Sequence, residues 1–212
     1  MVIVSGFTFL MIAFSLVCLI DVLIAMKAIG HGGKKGIWLG CACLGAFAVT
    51  LSYTISLFVQ DYFLYSVLSS IYFGGIDFTL FSLLFFNWYF INPSGDKPSG
   101  WLYKAIFAFT VLDILLFAVN PFYEIAISYV YHPAKISCYG YEMHLFYRVH
   151  LFFDYFVILL VLYELIKKCI HAPRIYARQY RYTMYALIAV VLINGAYLYV
   201  PGLFGEENVV LK

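Results

Sequence analysis

Apolar runs of eighteen or more residues recur along the whole chain, and they limit its possible folds more than any other feature. Each run is long enough to cross a bilayer whose hydrocarbon core is about 30 Å thick. Of the 212 residues, 65% are hydrophobic and only 11% carry a formal charge. That charged share is too small to cover the surface of a soluble domain of this size. The sequence therefore predicts an all-α, polytopic bundle of transmembrane helices that forms one domain over residues 1–212.

The apolar runs predict six membrane helices with polar segments between them. The polar segments include a glycine-lysine turn at 27–36, a Pro-Gly-Ser turn at 92–100 and a basic connector at 167–181. A connection of about 26 residues follows the fourth helix. The first run has no basic start and no small-residue cleavage site, so we expect a retained helix and not a signal peptide. The predicted helices lie at about 2–26, 37–59, 62–91, 103–120, 147–166 and 182–200.

Lysine and arginine residues divide ten to three between the two predicted faces of the membrane. The ten follow the first, third and fifth helices, whereas Lys135, Arg148 and Lys212 lie on the other side. Because basic loops are retained in the cytoplasm, this division predicts an N-terminus outside the cell. We expect a multi-pass protein of the plasma or inner membrane, with the lipid bilayer as a partner. The net charge of only +2 gives no reason to expect nucleic acid.

Ionisable residues inside the predicted helices are candidates for a functional site, since a charge near the bilayer centre costs at least about 2.5 kcal/mol. Asp77 lies near the middle of the third helix and Asp113 near the middle of the fourth. Their depths differ by about 7 Å at 1.5 Å per residue, so both can face one polar cavity. Such a pair suits proton relay or the sensing of a small ligand. The alternative is that each carboxyl is protonated and hydrogen-bonds to a different neighbouring helix.

Four further residues complete the predicted sensing site. We expect Asn194 of the sixth helix to line the cavity, and His144, His150 and Asp154 to lie at its outer rim. His150 and Asp154 are one helical turn apart, which also suits a pH switch or a metal site. Because this spacing is common by chance, we predict no metal and no cofactor.

Two polar residues near the inner helix ends are expected to have structural roles. Asn87 can hydrogen-bond across helices, as polar side chains in membrane bundles commonly do. Glu164 lies four residues before Lys168, in the order that favours an ion pair on one helix. We therefore expect Glu164 to be solvated.

No catalytic motif is present in the sequence. The chain has no phosphate-binding or dinucleotide-binding glycine motif, no H-E-x-x-H and no G-x-S-x-G. An intramembrane aspartyl protease would need a G-x-G-D pattern, which Gly74, Gly75 and Ile76 before Asp77 do not supply. The five cysteines form no C-x-x-C pair, and we expect them to be unpaired. The sequence therefore predicts that this chain is not itself an enzyme.

Several short motifs carry a resemblance to a known family. Asn120 and Pro121 close the fourth helix, and a long external stretch and a tyrosine-rich fifth helix follow. Further matching positions are Pro173, Tyr176, Arg178, Gln179, Tyr180, Asn194 and Tyr197. In these features the chain resembles the N-terminal seven-transmembrane-helix (7TM) sensor region of bacterial histidine kinases and diguanylate cyclases.

The resemblance implies a sensory input domain of a bacterial signal-transduction protein, such as the kinase of a two-component system. A ligand or a membrane state would alter helix packing, and a seventh helix would pass the change to a homodimeric cytoplasmic output domain. Six of the seven helices are visible here. With an external N-terminus, only an odd number of spans brings the C-terminus to the cytoplasm. We therefore expect the chain to be truncated after Lys212, with the seventh helix following Glu206 and Glu207.

Two functions from other classes remain open on the sequence alone. A small proton-coupled transporter or channel could use the same Asp77 and Asp113. The sequence has no inverted repeat and no pair of helices broken by glycine or proline, which are typical of transporter sites. An integral-membrane enzyme with an unrecognised site is the other possibility.

Overall fold

The fold is an all-α helical bundle, in agreement with the sequence prediction. A computed structural model describes the backbone of residues 2–92, 100–131 and 139–199, and the side chains of these residues except 2–7, 175, 190 and 193–199. Its helices are α1 (Val2–His31), α2 (Gly33–Ser56), α3 (Tyr62–Ile91), α4 (Trp101–Tyr123), α5 (Leu145–His171) and α6 (Arg174–Tyr199). In the described residues, α1 to α5 are each long and apolar enough to cross a membrane.

Two basic segments that the sequence analysis treated as connections are almost entirely helical. The break between α1 and α2 is the single residue Gly32, and Gly33, the first residue of α2, has a positive φ of 56°. The break between α5 and α6 is the two-residue joint Ala172–Pro173. The turn predicted at 27–36 and the connector predicted at 167–181 are therefore much shorter than expected, and both predicted lengths were wrong. Hydropathy marks only the part of a helix that lies in lipid, and lysine and arginine are good helix formers beyond it.

A β-hairpin, which the sequence analysis did not predict, lies in the long connection between α4 and α5. Strands β1 (Ile127–Tyr131) and β2 (Tyr139–Met143) pair antiparallel, with Ile127 opposite Met143 and Tyr131 opposite Tyr139. The Tyr139 hydroxyl donates to the carbonyl of Gln60 at 2.7 Å, which fastens the hairpin to the turn before α3. Burial raises the pKa of Tyr129 to about 12, so its phenol stays neutral at physiological pH. We call this end of the bundle the hairpin end.

Asn120 joins the end of α4 to the hairpin. Its side-chain oxygen accepts hydrogen bonds from the backbone N–H groups of Ala126 at 2.8 Å and Ile127 at 3.1 Å. Its amide nitrogen donates to the carbonyl of Ile127 at 3.0 Å. Glu124, in the left-handed conformation with φ 50°, ends the helix by donating its N–H to the Asn120 carbonyl. The fully buried Asn120 side chain thus satisfies three backbone groups that have no partner in a helix or a sheet.

The helices pack in chain order, with α3 at the centre. α1 packs on α2, α2 on α3, α3 on both α4 and α5, and α5 on α6. The contact between α2 and α3 is the most extensive, and small residues allow it. A side chain on Gly45 would overlap Thr79, and one on Gly75 would come within 2.9 Å of Val49. This pair of glycines lets the two backbones approach closely, as in other membrane bundles.

We predict that Gly45→Ala destabilises the bundle, whereas Gly74→Ala does not. The added methyl of Gly45→Ala would meet Thr79, including its backbone nitrogen at 3.1 Å, and overpacking costs about 1–3 kcal/mol. The methyl of Gly74→Ala would meet only Ile114, at an ordinary 3.8 Å. Thermal unfolding of both variants in detergent micelles measures the difference. Equal melting temperatures for the two variants would contradict the close approach of α2 and α3.

We predict that Asn120→Ala releases the hairpin from α4. The substitution leaves two buried backbone donors without an acceptor, at a cost of about 2–6 kcal/mol. Hydrogen exchange should accelerate at the amides of Ala126 and Ile127. Asn92→Ala is the matched control, because within the described part of the chain the Asn92 side chain donates only to the carbonyl of Trp88 at the end of α3. The role of Asn120 is refuted if both variants exchange alike at the two amides.

Candidate functional site

Three acidic residues and one histidine meet inside the bundle and form what we call the polar layer: Asp77, Asp113, His150 and Asp154. Asp77 lies at the middle of α3 and Asp113 near the middle of α4, while the other two lie in the first turns of α5. The layer therefore joins three helices that all lie in candidate membrane spans. Hydrophobic clusters cover it on both sides along the bundle axis.

The imidazole of His150 is the centre of the polar layer. Its Nδ1 lies 2.9 Å from Asp113 Oδ2 and 3.4 Å from Asp77 Oδ1. Its Nε2 lies 3.4 Å from Asp154 Oδ2, one turn along the same helix. One aromatic ring thus contacts carboxyl groups from all three helices.

The polar layer is almost completely removed from solvent. Asp77 and His150 are each 1% exposed, Asp113 5% and Asp154 8%. Neither carboxylate oxygen of Asp77 has a hydrogen-bond donor among the described residues, and the same holds for Asp154 Oδ1. Because burial of an unpaired polar atom costs free energy, these oxygens mark a place where a proton, a cation or another donor would be stabilised.

Aromatic rings separate the polar layer from the hairpin end. The His150 ring lies 4.8 Å from Phe117, 5.8 Å from Phe73 and 5.8 Å from Tyr147, measured between ring centroids. All three rings belong to the hydrophobic cluster that also contains residues of both strands. Water that enters from the hairpin end must pass this aromatic cover.

The structure brings together four of the six residues predicted for the sensing site. Asp77 and Asp113 share one polar environment, as expected from their similar depths. His150 and Asp154 lie within that environment and not at its outer rim, so their predicted placement was wrong.

Of the other two predicted residues, His144 lies outside the polar layer, and the position of the Asn194 side chain is not described. His144 is exposed at the start of α5, six positions before His150, and its side chain does not reach the layer. Asn194 lies on α6, and its side chain is outside the part of the chain that the structure describes.

A second group of polar residues, which we call the inner network, lies on the same three helices. Glu164 of α5 accepts hydrogen bonds from the hydroxyl of Tyr103 on α4 and, at 3.1 Å, from the amide of Asn87 on α3. The expectation that Glu164 is solvated was therefore wrong, because its partners come from other helices. Asn87 does bond across helices, as predicted.

The inner network repeats the polar layer at a fixed spacing. Asn87, Tyr103 and Glu164 each lie ten positions along their helix from Asp77, Asp113 and Asp154, respectively. Ten residues correspond to about 15 Å along a helix. Apolar side chains fill the interval, including the fully buried Leu84, Val157 and Val161. The equal spacing on three helices was a sequence signal that analysis of single helices missed.

We predict that His150→Leu strongly destabilises the protein. The substitution leaves the buried carboxyl groups without their shared partner, and loss of one member of a buried ion pair costs about 3–5 kcal/mol. Adding Asp113→Asn should recover part of this loss, because it removes one of the unbalanced charges. Unfolding of the single and double variants in detergent provides the double-mutant cycle.

His171→Leu is the matched control, because His171 lies exposed at the end of the same helix. Exposed substitutions usually change stability by less than about 0.5 kcal/mol. Equal effects of His150→Leu and His171→Leu, or strictly additive effects in the double variant, would refute the coupling.

Comparison with known proteins assigns the chain to a family. Residues 4–207 match the profile of a family described as the N-terminal 7TM region of histidine kinase. No curated protein and no solved structure shows a significant match. The matched region contains the helices, the hairpin and the whole polar layer. The chain therefore belongs to the family of N-terminal 7TM regions of histidine kinases.

Proposed function

We propose that this chain is the signal-receiving domain of a bacterial signalling protein of the histidine kinase or diguanylate cyclase type. The domain has no catalysis of its own and passes a change in helix packing to an output domain that follows it. The observation that carries this proposal is the buried polar layer, which ties α3, α4 and α5 together inside the membrane region. Membership of the family of N-terminal 7TM regions of histidine kinases supports a kinase as the output domain.

The polar layer is suited to receive a signal for two reasons. Leaving its charged groups unpaired costs free energy, and His150 can pair with more than one carboxyl group. Charged groups persist in a membrane only while they are paired with one another or with a ligand. A proton or a small ligand that changes the pairing of His150 with the three carboxyl groups changes the relative stability of two helix packings. Such a differential effect is what a conformational switch requires.

The inner network offers the next contact along the same helices. A shift of α3, α4 and α5 at the polar layer must be accommodated about 15 Å away, where Glu164 bonds to Asn87 and Tyr103. The intervening side chains are close-packed, and packed cores transmit displacements instead of absorbing them. We infer that the change reaches the end opposite the hairpin by this route.

We assign the hairpin end to the outside of the cell. Among the described residues, Arg148 is the one lysine or arginine on the hairpin side, and the others lie toward the opposite end. The positive-inside rule then puts the N-terminus and the hairpin outside, in the plasma or inner membrane. Family resemblance adds the expectation of a homodimer.

The transporter alternative would use the same polar layer to move protons. The family match favours a sensor. Sequencing beyond Lys212, together with a measurement of proton flux, distinguishes a sensor from a transporter.

The first experiment determines what the gene encodes after Lys212. We expect the reading frame to continue through a seventh apolar segment into a kinase or cyclase domain. A stop codon at this point, combined with proton flux into liposomes carrying the protein, would overturn the proposal in favour of transport.

We predict that Asp77→Asn and Asp113→Asn change the output of the encoded protein. In proteoliposomes supplied with ATP or GTP, the basal rate of autophosphorylation or of cyclic dinucleotide formation should differ from wild type by about fivefold or more. This change corresponds to a coupling free energy of about 1 kcal/mol. Glu142→Gln, which alters an exposed carboxyl group on β2, is the matched control and should leave the rate unchanged. Wild-type rates in both aspartate variants would show that the polar layer does not receive the signal.

A further inference from the structure

We propose that Asp77, Asp113 and His150 bind a divalent transition-metal cation, and that Asp154 orients the histidine. This inference names the chemical class of a signal for the proposed sensory domain, and its signalling part rests on that proposed function. The sequence alone favoured no metal, because it did not reveal that His150 lies between the two aspartates.

The three side chains present their donor atoms around one point. One ligand atom from each of Asp77, Asp113 and His150 lies within 4.8 Å of the other two. The two separations measured from His150 Nδ1 are 2.9 and 3.4 Å. Ligand atoms held tetrahedrally at bonds of about 2.1 Å are separated by about 3.4 Å, so only small shifts are needed to admit a cation.

His150 cannot donate a hydrogen bond from Nδ1 to both Asp77 and Asp113. Nδ1 carries at most one hydrogen, and a hydrogen there is directed to Asp113 at 2.9 Å. Asp77 then has no donor on either oxygen, although it is only 1% exposed. If the hydrogen is on Nε2 instead, the Nδ1 lone pair faces two carboxyl oxygens, and that arrangement is stable only with a proton on one carboxyl group or a cation between them.

Asp154 occupies the position of an outer carboxylate, which does not bind the metal but accepts a hydrogen bond from a histidine that does. Histidine ligands of metals almost always donate the second ring N–H to a carboxylate or a carbonyl. His150 Nε2 lies 3.4 Å from Asp154 Oδ2, whereas Asp77 and Asp113 approach the other ring nitrogen, Nδ1. Asp154 can therefore fix the tautomer that leaves Nδ1 free to bind a metal.

Charge and ligand type indicate which cation fits. A divalent ion balances the charges of Asp77 and Asp113, which otherwise remain in a medium of low dielectric constant. Carboxylates alone suit Mg²⁺, Ca²⁺ or Mn²⁺, whereas an imidazole ligand favours Zn²⁺ or Fe²⁺. Three protein ligands leave a coordination position open for water or another small molecule.

The test measures Zn²⁺ binding to the protein in lipid nanodiscs after removal of metals with a chelator. Calorimetric titration should give one equivalent per chain for wild type, and excess Mg²⁺ should not compete. Asp77→Asn and Asp113→Asn should weaken binding by more than about 100-fold, and Asp154→Asn by about 10–100-fold, as expected for an outer carboxylate. His144→Gln and Glu142→Gln should bind as wild type does, because both residues are exposed and outside the polar layer. Near-UV circular dichroism and melting temperatures identify any variant that fails to fold.

Three results would overturn the inference. If folded wild-type protein binds neither Zn²⁺ nor Mn²⁺, the metal site is absent, while the proposed sensory function is still decided by the output rates of the aspartate variants. If Zn²⁺ binds to Asp77→Asn and Asp113→Asn as well as it binds to wild type, the ion binds adventitiously at another place and the polar layer is not the metal site. If Zn²⁺ binds at the polar layer but leaves the output rate of the encoded protein unchanged, the site exists and its signalling role is refuted.

Discussion

The sharing of one imidazole among three buried carboxyl groups fixes how α3, α4 and α5 meet. Apolar side chains tolerate many arrangements of similar volume, so the clusters on either side of the polar layer cannot by themselves define one register. His150 of α5 can reach both Asp77 of α3 and Asp113 of α4 only when the three helices are aligned at this depth. The cost of separating these groups in lipid makes that alignment the stable one. The inner network, at an equal distance along all three helices, holds the same register.

The hairpin end is organised by a different kind of contact. Here Asn120 satisfies backbone groups, and tyrosine rings supply both packing area and hydrogen bonds. The pair Tyr62 and Glu124 adds a bond between the start of α3 and the end of α4. The hairpin therefore packs on a cluster of aromatic rings, and three rings of that cluster, from α3, α4 and α5, contact His150.

The sequence was sufficient to predict the membrane class, the approximate spans and the proximity of Asp77 and Asp113. Those features depend on periodic and axial properties of single helices. The depth of His150 was not predictable in this way, because it depends on α5 starting at Leu145 and facing α3 and α4. Glu164 was misjudged for a similar reason, since its partners Asn87 and Tyr103 are distant in sequence. The hairpin was missed because its strands lie in a stretch that hydropathy treats as a loop.

The joint between α5 and α6 has a mechanical consequence. Ala172 and Pro173 are the whole connection, and the ring of Pro173 restricts its own backbone and that of the preceding residue. So short a joint limits how far α6 can move independently of α5. Movements of α5, the helix that contains His150, Asp154 and Glu164, are thus linked to movements of α6.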